Sequence, residues 1–205
     1  MKLYAMPGTC ALAPNIAAIW GSVDLEVVNL PRGAHREPDY LAINPKGQVP
    51  ALVLDDGTVI TEASAIMRYI AAQSSDAAIN PADPVRWAAI DEALSYFTSE
   101  VHADFGGHFA PHRFATSDSG QAEVREMTYA KLRQHLARIE GRFSAADTGH
   151  YLGARSIADA YLYVILRWVD GTPIALADYP VLAAYRERIG SDSDIMTALK
   201  RQNME

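Results

Sequence analysis

Cysteine is nearly missing from this 205-residue chain, which has one, Cys10. A single thiol cannot close an internal disulfide, so a secreted scaffold held by cross-links is excluded. Long apolar runs are missing as well. No stretch approaches the ~20 residues that a helix needs to cross a bilayer. The start, Met1-Lys2-Leu3-Tyr4-Ala5-Met6-Pro7, is too short and too early broken by proline for an export signal. There is no surplus of basic charge: acidic residues outnumber basic ones 25 to 18, a net −7. A nucleic-acid backbone is therefore an unsuitable partner. Neither G-x-x-x-x-G-K-[ST] nor G-x-G-x-x-G occurs, so no nucleotide cofactor is called for. What remains is 49% apolar and 21% charged, a composition that excludes global disorder. The default compartment is the cytoplasm.

The first part of the chain alternates strand and helix patterns. Lys2 to Met6 is an apolar run stopped by Pro7-Gly8, a strand and then a turn. From Ala11 to Gly21, Leu12, Ile16, Ile19 and Trp20 fall at helical spacing. Pro14 is tolerated in a first turn, where it forfeits no intrahelical bond. Asp24 to Leu30 alternates again, giving a β-α-β unit whose crossover sets its strands parallel. After a polar loop from Pro31 to Pro38, Ala51 to Leu54 and Thr58 to Thr61 flank the hairpin turn Asp55-Asp56-Gly57. A helix is expected from about Glu62 to Gln73. Four strands with helices fit an α/β layer over residues 1–76, and residues 77–84 read as a linker. Residues 85–205 show helical periodicity alone: Val85 to Phe105, Gln121 to Phe143, Ile157 to Val169, Val181 to Ile189, and a short Asp194 to Arg201. They predict an all-α bundle.

Three local features carry chemistry. Cys10 stands where the first strand gives way to the first helix. A lone cysteine is commonly a small buried hydrophobe, but at a helix N-terminus the dipole and unpaired N–H groups favour thiolate. Ala13 occupies the second position of what would be a C-x-x-C pair, so a disulfide here needs an outside thiol, with a low-molecular-weight one the obvious candidate. Val49-Pro50 opens the third strand. A trans start is ordinary, whereas a cis bond would turn the Val49 N–H and C=O outward to pair with an extended peptide. Thr61-Glu62-Ala63-Ser64 begins the third helix. There Glu62 either complements the helix dipole as part of a cap or grips an ammonium while terminal N–H groups bind the adjacent carboxylate. A free amino-acid head group presents both charges together.

Taken together, Pro7-Gly8-Thr9-Cys10-Ala11-Leu12-Ala13-Pro14, then Asn44-Pro45-Lys46-Gly47-Gln48-Val49-Pro50-Ala51-Leu52, then Thr61-Glu62 resemble the bacterial beta-class glutathione S-transferases. Ser156-Ile157-Ala158-Asp159-Ala160-Tyr161-Leu162, a Ser-x-x-Asp capping box opening a buried helix, extends the resemblance over nearly the whole chain. It implies a thioredoxin-like α/β N-terminal domain, an all-α C-terminal domain, a homodimer, and glutathione as co-substrate without metal or nucleotide. It implies further that Cys10 faces the glutathione sulfur, that Val49 pairs with the tripeptide backbone and that Pro50 is cis. Glu62 and the Ala63 N–H would hold the γ-glutamyl end, and His102 would reach the site from the second domain. In the loop where relatives often offer a lysine to the glycine carboxylate, this chain has Arg32, His35 and Arg36. Ala63 stands where many relatives have Ser or Gly, and Ala103 where some have lysine.

The activity so implied is transfer of the glutathione thiolate to small hydrophobic electrophiles. Free thiols with pKa ~8.5 are mostly protonated at neutral pH, so the site must supply donors that stabilise the anion. His102 is one candidate. Cys10 is either a hydrogen-bond partner of the bound sulfur or a nucleophile that forms a mixed disulfide. Glutathione-dependent disulfide reduction or lyase chemistry would use the same cleft, and a non-catalytic binding protein is the alternative outside catalysis. Met6, Phe105, Phe109, Phe114 and Trp168 either line an apolar pocket for the second substrate or pack in the core. His102, His108 and His112 are spaced six and four apart. Gly106-Gly107 and Pro111 are expected to interrupt their helix, and no metal is expected there.

Overall fold

The computed structural model describes residues 1–146 and 149–204, with side chains for all of these except 144–146. Strands β1 (Lys2–Ala5), β2 (Glu26–Asn29), β3 (Ala51–Val53) and β4 (Val59–Thr61) form one sheet in the order β2-β1-β3-β4. Helices α1 (Leu12–Trp20), α2 (Pro38–Leu41) and α3 (Ala63–Ala72) accompany it. Helices α4 (Pro84–Tyr96), α5 (His102–Phe109), α6 (Asp118–Ala146), α7 (Ile157–Trp168), α8 (Pro180–Gly190) and α9 (Ser193–Arg201) follow. β1 and β2 pair in parallel, Leu3 opposite Val27, with α1 as the crossover that parallel pairing requires. β3 is antiparallel to both β1 and β4, so Leu52 sits between Leu3 and Ile60.

Two helices form the centre of the core. α1 packs against α3, α7 and α9, and Leu12, Ile16, Ala17 and Ala18 are almost completely buried. A helix enclosed by protein has no solvent face to keep polar, which explains its apolar character all round. α7 is buried from Ile157 to Leu166. Its N-terminus is the expected capping box, with the Ser156 N–H donating to Asp159 Oδ2 at 2.9 Å. Asp159 Oδ1 accepts from the Tyr151 N–H at 2.9 Å and the Tyr185 hydroxyl at 3.1 Å. A completely buried carboxylate is thereby given the partners it needs.

Several expectations are corrected. The polar segment from Pro31 to Pro38 holds a 3₁₀ turn at Ala34–Arg36 and runs straight into α2. Pro38 opens that helix because its fixed φ suits a first position and no donor is lost there. The helix expected from Val85 to Phe105 starts at Pro84, where the Asp83 carboxylate accepts from the Val85 N–H at 2.9 Å. It is not broken at Gly106-Gly107. Instead it passes through a π-helical turn, Phe97–Val101, into α5 and stops at Phe109, ahead of Pro111. Gly107 serves close contact: a Cβ there would lie 2.0 Å from Thr128 Oγ1 on α6. Residues 77–84 are tied into the fold, with Ile79 completely buried and Asp76 Oδ1 accepting from the Ala78 N–H at 2.8 Å. Among the described residues no helix is long and apolar enough to cross a membrane.

Candidate active site

A cleft of about 1390 Å³ opens between the sheet-bearing part and the helices. One wall is made by the turn after β1, the segment leading into β3 and the start of α3. The other comes from α5, the turn that follows it, and α7. Cys10, His35, Val49, Pro50, Glu62, Ala63 and His102 all line this cleft. Met6, Phe109, Phe114 and Trp168 line it too, but Phe105 does not. That ring is 1% exposed and packs edge-on behind Trp168, centroids 5.4 Å apart, so it belongs to the core.

The segment before β3 is held open by its own side chains. Asn44, 2% exposed, donates from Nδ2 to the Gln48 carbonyl at 2.7 Å and accepts the Lys46 N–H at 3.2 Å. The Tyr40 hydroxyl donates to the same Gln48 carbonyl at 2.6 Å. Gly47, at φ +59, makes the turn between them. The Val49–Pro50 bond is cis. Braced from below, Val49 presents its backbone to the cleft without any help from its side chain.

At the start of α3, Glu62 makes no hydrogen-bonded side-chain cap. Its carboxylate accepts from Lys46 Nζ at 2.6 Å, and Lys46 also reaches Thr61 Oγ1 at 3.1 Å. Glu62 has φ +70, a backbone state costly for any residue with a Cβ and found mostly where function holds it. The first N–H groups of α3, beginning at nearly buried Ala63, point beyond the helix as all first-turn donors do. A carboxylate, an ammonium and free N–H groups thus stand together.

Cys10 corrects the thiolate expectation. It is 8% exposed, and burial pushes its thiol up to about 12, against smaller opposing contributions from its own backbone and from a Tyr161 hydrogen bond. Glu62 adds a further small push upward. The helix dipole loses because desolvating the anion costs more than a few N–H groups return. The thiol donates to the Val49 carbonyl at 3.9 Å. Tyr161, completely buried on α7, has its phenol at the Cys10 sulfur on one side and 2.8 Å from His102 Nδ1 on the other. Burial holds the Tyr161 phenol protonated and lowers His102, so all three groups are neutral at pH 7. With the imidazole proton assigned to Nδ1, the chain runs His102 N–H to Tyr161 oxygen, Tyr161 O–H to Cys10 sulfur.

The turn carrying Cys10 is fixed from three directions. Thr9 Oγ1 donates to the Met6 carbonyl at 2.7 Å, and Trp168 Nε1 donates to the Gly8 carbonyl at 2.9 Å. Gln202 Nε2, from beyond α9, donates to the Ala11 carbonyl at 3.1 Å. Trp168 also lies 4.6 Å from the His102 ring, centroid to centroid, and edge-on to Phe109 at 5.5 Å. At the far end His35 Nε2 accepts from Arg36 Nε at 3.4 Å, while His35 Nδ1 is buried without a partner. His108 Nδ1 turns to Tyr129 at 3.1 Å, away from the His102 chain. Among the described residues no group of three or more His, Cys, Asp or Glu side chains is placed to hold a metal ion.

Comparison with known proteins agrees with this geometry. Residues 9–73 match the glutathione S-transferase N-terminal domain and residues 122–188 the glutathione S-transferase C-terminal domain. The chain is 33% identical over 211 residues to "Glutathione S-transferase GstA" of Escherichia coli O157:H7, covering all of both chains. This chain belongs to the glutathione S-transferase family. A sphingomonad glutathione S-transferase solved in complex with glutathione superposes with a TM-score of 0.87 at 37% identity, covering 100% of each chain. The beta-class enzyme of Sphingomonas chungbukensis gives 0.86 at 35%, again over 100% of each. The fold is that of a glutathione S-transferase, and its solved relatives include a bacterial beta-class enzyme. Lys46 and Tyr161 were missed as site residues in the sequence. Both lie inside motifs already noted: Lys46 is a cation in a turn motif, and Tyr161 is a hydroxyl within a buried helix.

Proposed function

We propose that this chain conjugates glutathione to small electrophiles, and that Cys10 acts as a hydrogen-bond donor to the glutathione sulfur rather than as a nucleophile. The observation that carries the reading is the neutral chain His102–Tyr161–Cys10 ending in one cleft with the Val49 backbone and the Lys46–Glu62 pair. The γ-glutamyl head group brings an ammonium for Glu62 and a carboxylate for Lys46 and the α3 N–H groups. The tripeptide backbone pairs with Val49 as an added strand does. When the glutathione thiolate arrives, the Cys10 S–H turns from the Val49 carbonyl to the incoming sulfur, which frees that carbonyl for the peptide. His35 and its neighbours Arg32 and Arg36 meet the glycine carboxylate. The thiol proton of glutathione leaves to solvent, and the thiolate attacks an electrophilic carbon. On a halogenated nitroarene, a C–S bond forms and halide departs with the bonding pair. Domains over 1–76 and 85–205, a homodimer and a cytoplasmic setting accompany this reading by resemblance.

Magnitude decides between the two roles of Cys10. With the thiol at about 12, only ~1 in 10⁵ sites is thiolate at pH 7, against a few per cent for an ordinary thiol. Donor chemistry needs the protonated form, which is nearly always present. The test is conjugation of 1-chloro-2,4-dinitrobenzene together with calorimetry of glutathione binding, in the wild type and Cys10→Ala. Binding at millimolar glutathione or tighter, turnover, a roughly tenfold lower kcat in Cys10→Ala and no glutathione adduct on the intact mass are expected. Full turnover by Cys10→Ala would remove Cys10 from the chemistry, and a stoichiometric mixed disulfide would make it a nucleophile. No heat and no turnover would favour a binding protein.

A further inference from the structure

The charges of the cleft do not balance against glutathione alone. Arg32, Arg36, Lys46 and Arg113 line it against one carboxylate, Glu62, in a chain whose net charge is −7. Bound glutathione presents two carboxylates, one ammonium and a thiolate. Lys46 and Glu62 answer the zwitterionic head group, and the neutral Cys10–Tyr161–His102 chain answers the sulfur. Arg32 and Arg36, with His35 between them, answer the glycine carboxylate. Arg113 is left over, and it lies on the other wall.

Its surroundings indicate what it meets. Arg113 closes the 3₁₀ turn Pro111–Arg113 that follows α5, between the exposed rings Phe109 (52%) and Phe114 (63%). Both rings line the cleft with it, as do Gly106 and Ala110. The Phe114 ring packs beside Gly106, where an added Cβ would meet it in ordinary van der Waals contact at 3.8 Å. No carboxylate of a described residue forms an ion pair with Arg113, whereas the arginines 68, 142, 155 and 186 each have one. An unpaired guanidinium lining the same wall as two exposed aromatic rings suits a flat, apolar molecule with one anionic substituent.

We infer that the second substrate of this chain is an aromatic electrophile bearing a carboxylate or similar anion, which Arg113 receives on the wall that it shares with Phe109 and Phe114. The assignment rests on the glutathione-transfer reading. It is tested with a matched pair, 4-chloro-3-nitrobenzoate and 4-chloro-3-nitrobenzamide, which differ in charge and little in shape. Rates are taken at saturating glutathione and divided by the uncatalysed rate of each compound. A kcat/KM ratio of acid to amide of roughly five or more is expected in the wild type. Arg113→Gln, a change at an exposed and unpaired side chain, should bring the ratio to about one and raise KM for the acid more than it lowers kcat. Calorimetry adds a readout without turnover: S-(4-carboxy-2-nitrophenyl)glutathione should bind at least fivefold tighter than its carboxamide, and the difference should vanish in Arg113→Gln. Turnover of both compounds with no preference, or a preference untouched by Arg113→Gln, overturns the inference and leaves glutathione transfer standing. If neither compound reacts and neither conjugate binds, transfer itself fails and the inference with it. A conjugate preference without turnover upholds the Arg113 site.

Discussion

Two carboxylates stand at helix N-termini in this molecule, and they are treated in opposite ways. Asp159, three residues into α7, is completely buried and receives the Ser156 and Tyr151 N–H groups and the Tyr185 hydroxyl. Glu62, at the head of α3, is 65% exposed at its side chain, has one cation for company and sits on a backbone with φ +70. Their helix-dipole environment is similar. The difference lies in what is left over. Asp159 has spent its hydrogen-bonding capacity on the fold, so removing it damages structure. Glu62 and its neighbouring N–H groups keep capacity in hand at a strained position, and unspent capacity in a cleft is what a ligand can use.

The largest effect should therefore fall on stability and at Asp159. Asp159→Ala leaves two buried N–H groups and the Ser156 hydroxyl without their acceptor and the Tyr185 phenol with the residue-159 carbonyl alone, a loss of about 3–5 kcal/mol. Urea denaturation should show it directly. Glu62→Ala removes an exposed ion pair worth at most ~1 kcal/mol, yet should weaken glutathione binding by about 10- to 100-fold, as loss of one charge-assisted contact does. A Glu62→Ala protein with wild-type affinity, or as unstable as Asp159→Ala, would erase the contrast. Glu62→Gly sharpens it. Glycine accepts positive φ at little cost, so this variant should be about 1 kcal/mol more stable than Glu62→Ala while binding glutathione no better.

The contrast between the two carboxylates was half legible in the sequence. The Ser156-x-x-Asp159 box was read as a cap and is one. Thr61-Glu62 admitted two readings, because a cap and a ligand grip need the same residues at the same helix end. In the fold Glu62 makes no side-chain cap and pairs instead with the Lys46 ammonium, sixteen residues back along the chain and brought near by the β3–β4 hairpin, a contact that sequence spacing does not reveal. Strand pairing followed from crossover length and turn chemistry, both local. α2 escaped because four residues are too few for periodicity, and the Gly106-Gly107 stop was wrong because a glycine demanded by a neighbouring helix looks like a glycine that ends one. The Cys10 thiol was misjudged for a related reason. The dipole is visible in sequence, but burial by α7 and its Tyr161 is tertiary.

On the helical wall the expected effects are smaller. Tyr161→Phe keeps the ring and removes the hydroxyl between His102 and Cys10. It should lower kcat by about tenfold, with KM for glutathione changed far less, because the contact strengthens as sulfur charge is handled rather than on binding. The variant should also leave the Cys10 thiol harder to ionise, as the Tyr161 bond is one of two influences that lower it. Iodoacetamide labelling of the glutathione-free protein reads this. In the wild type the rate should keep rising with pH beyond the ~8.5 at which a free thiol levels off, and in Tyr161→Phe it should be slower at every pH. Equal labelling rates would mean that Tyr161 does not reach the sulfur.

The smallest effect concerns the histidines of that wall. An unfolded histidine gains its proton near pH ~6.5, but burial holds His102 below that value in the fold, and burial followed by Arg125 does the same to His108. Below pH ~6.5 the unfolded chain takes up protons that the folded chain refuses. Stability from these groups is thus complete above pH ~6.5 and declines as pH falls toward the folded values. His102→Gln keeps a side-chain N–H for Tyr161 and cannot titrate. Its denaturation midpoint should fall less than the wild type's between pH 7.5 and 5.5, and a second change, His108→Gln, should flatten the profile further. An equal fall in the double variant would locate the acid sensitivity elsewhere, and His102 would then be free to carry charge beside Tyr161, contrary to the neutral chain on which the donor role of Cys10 depends.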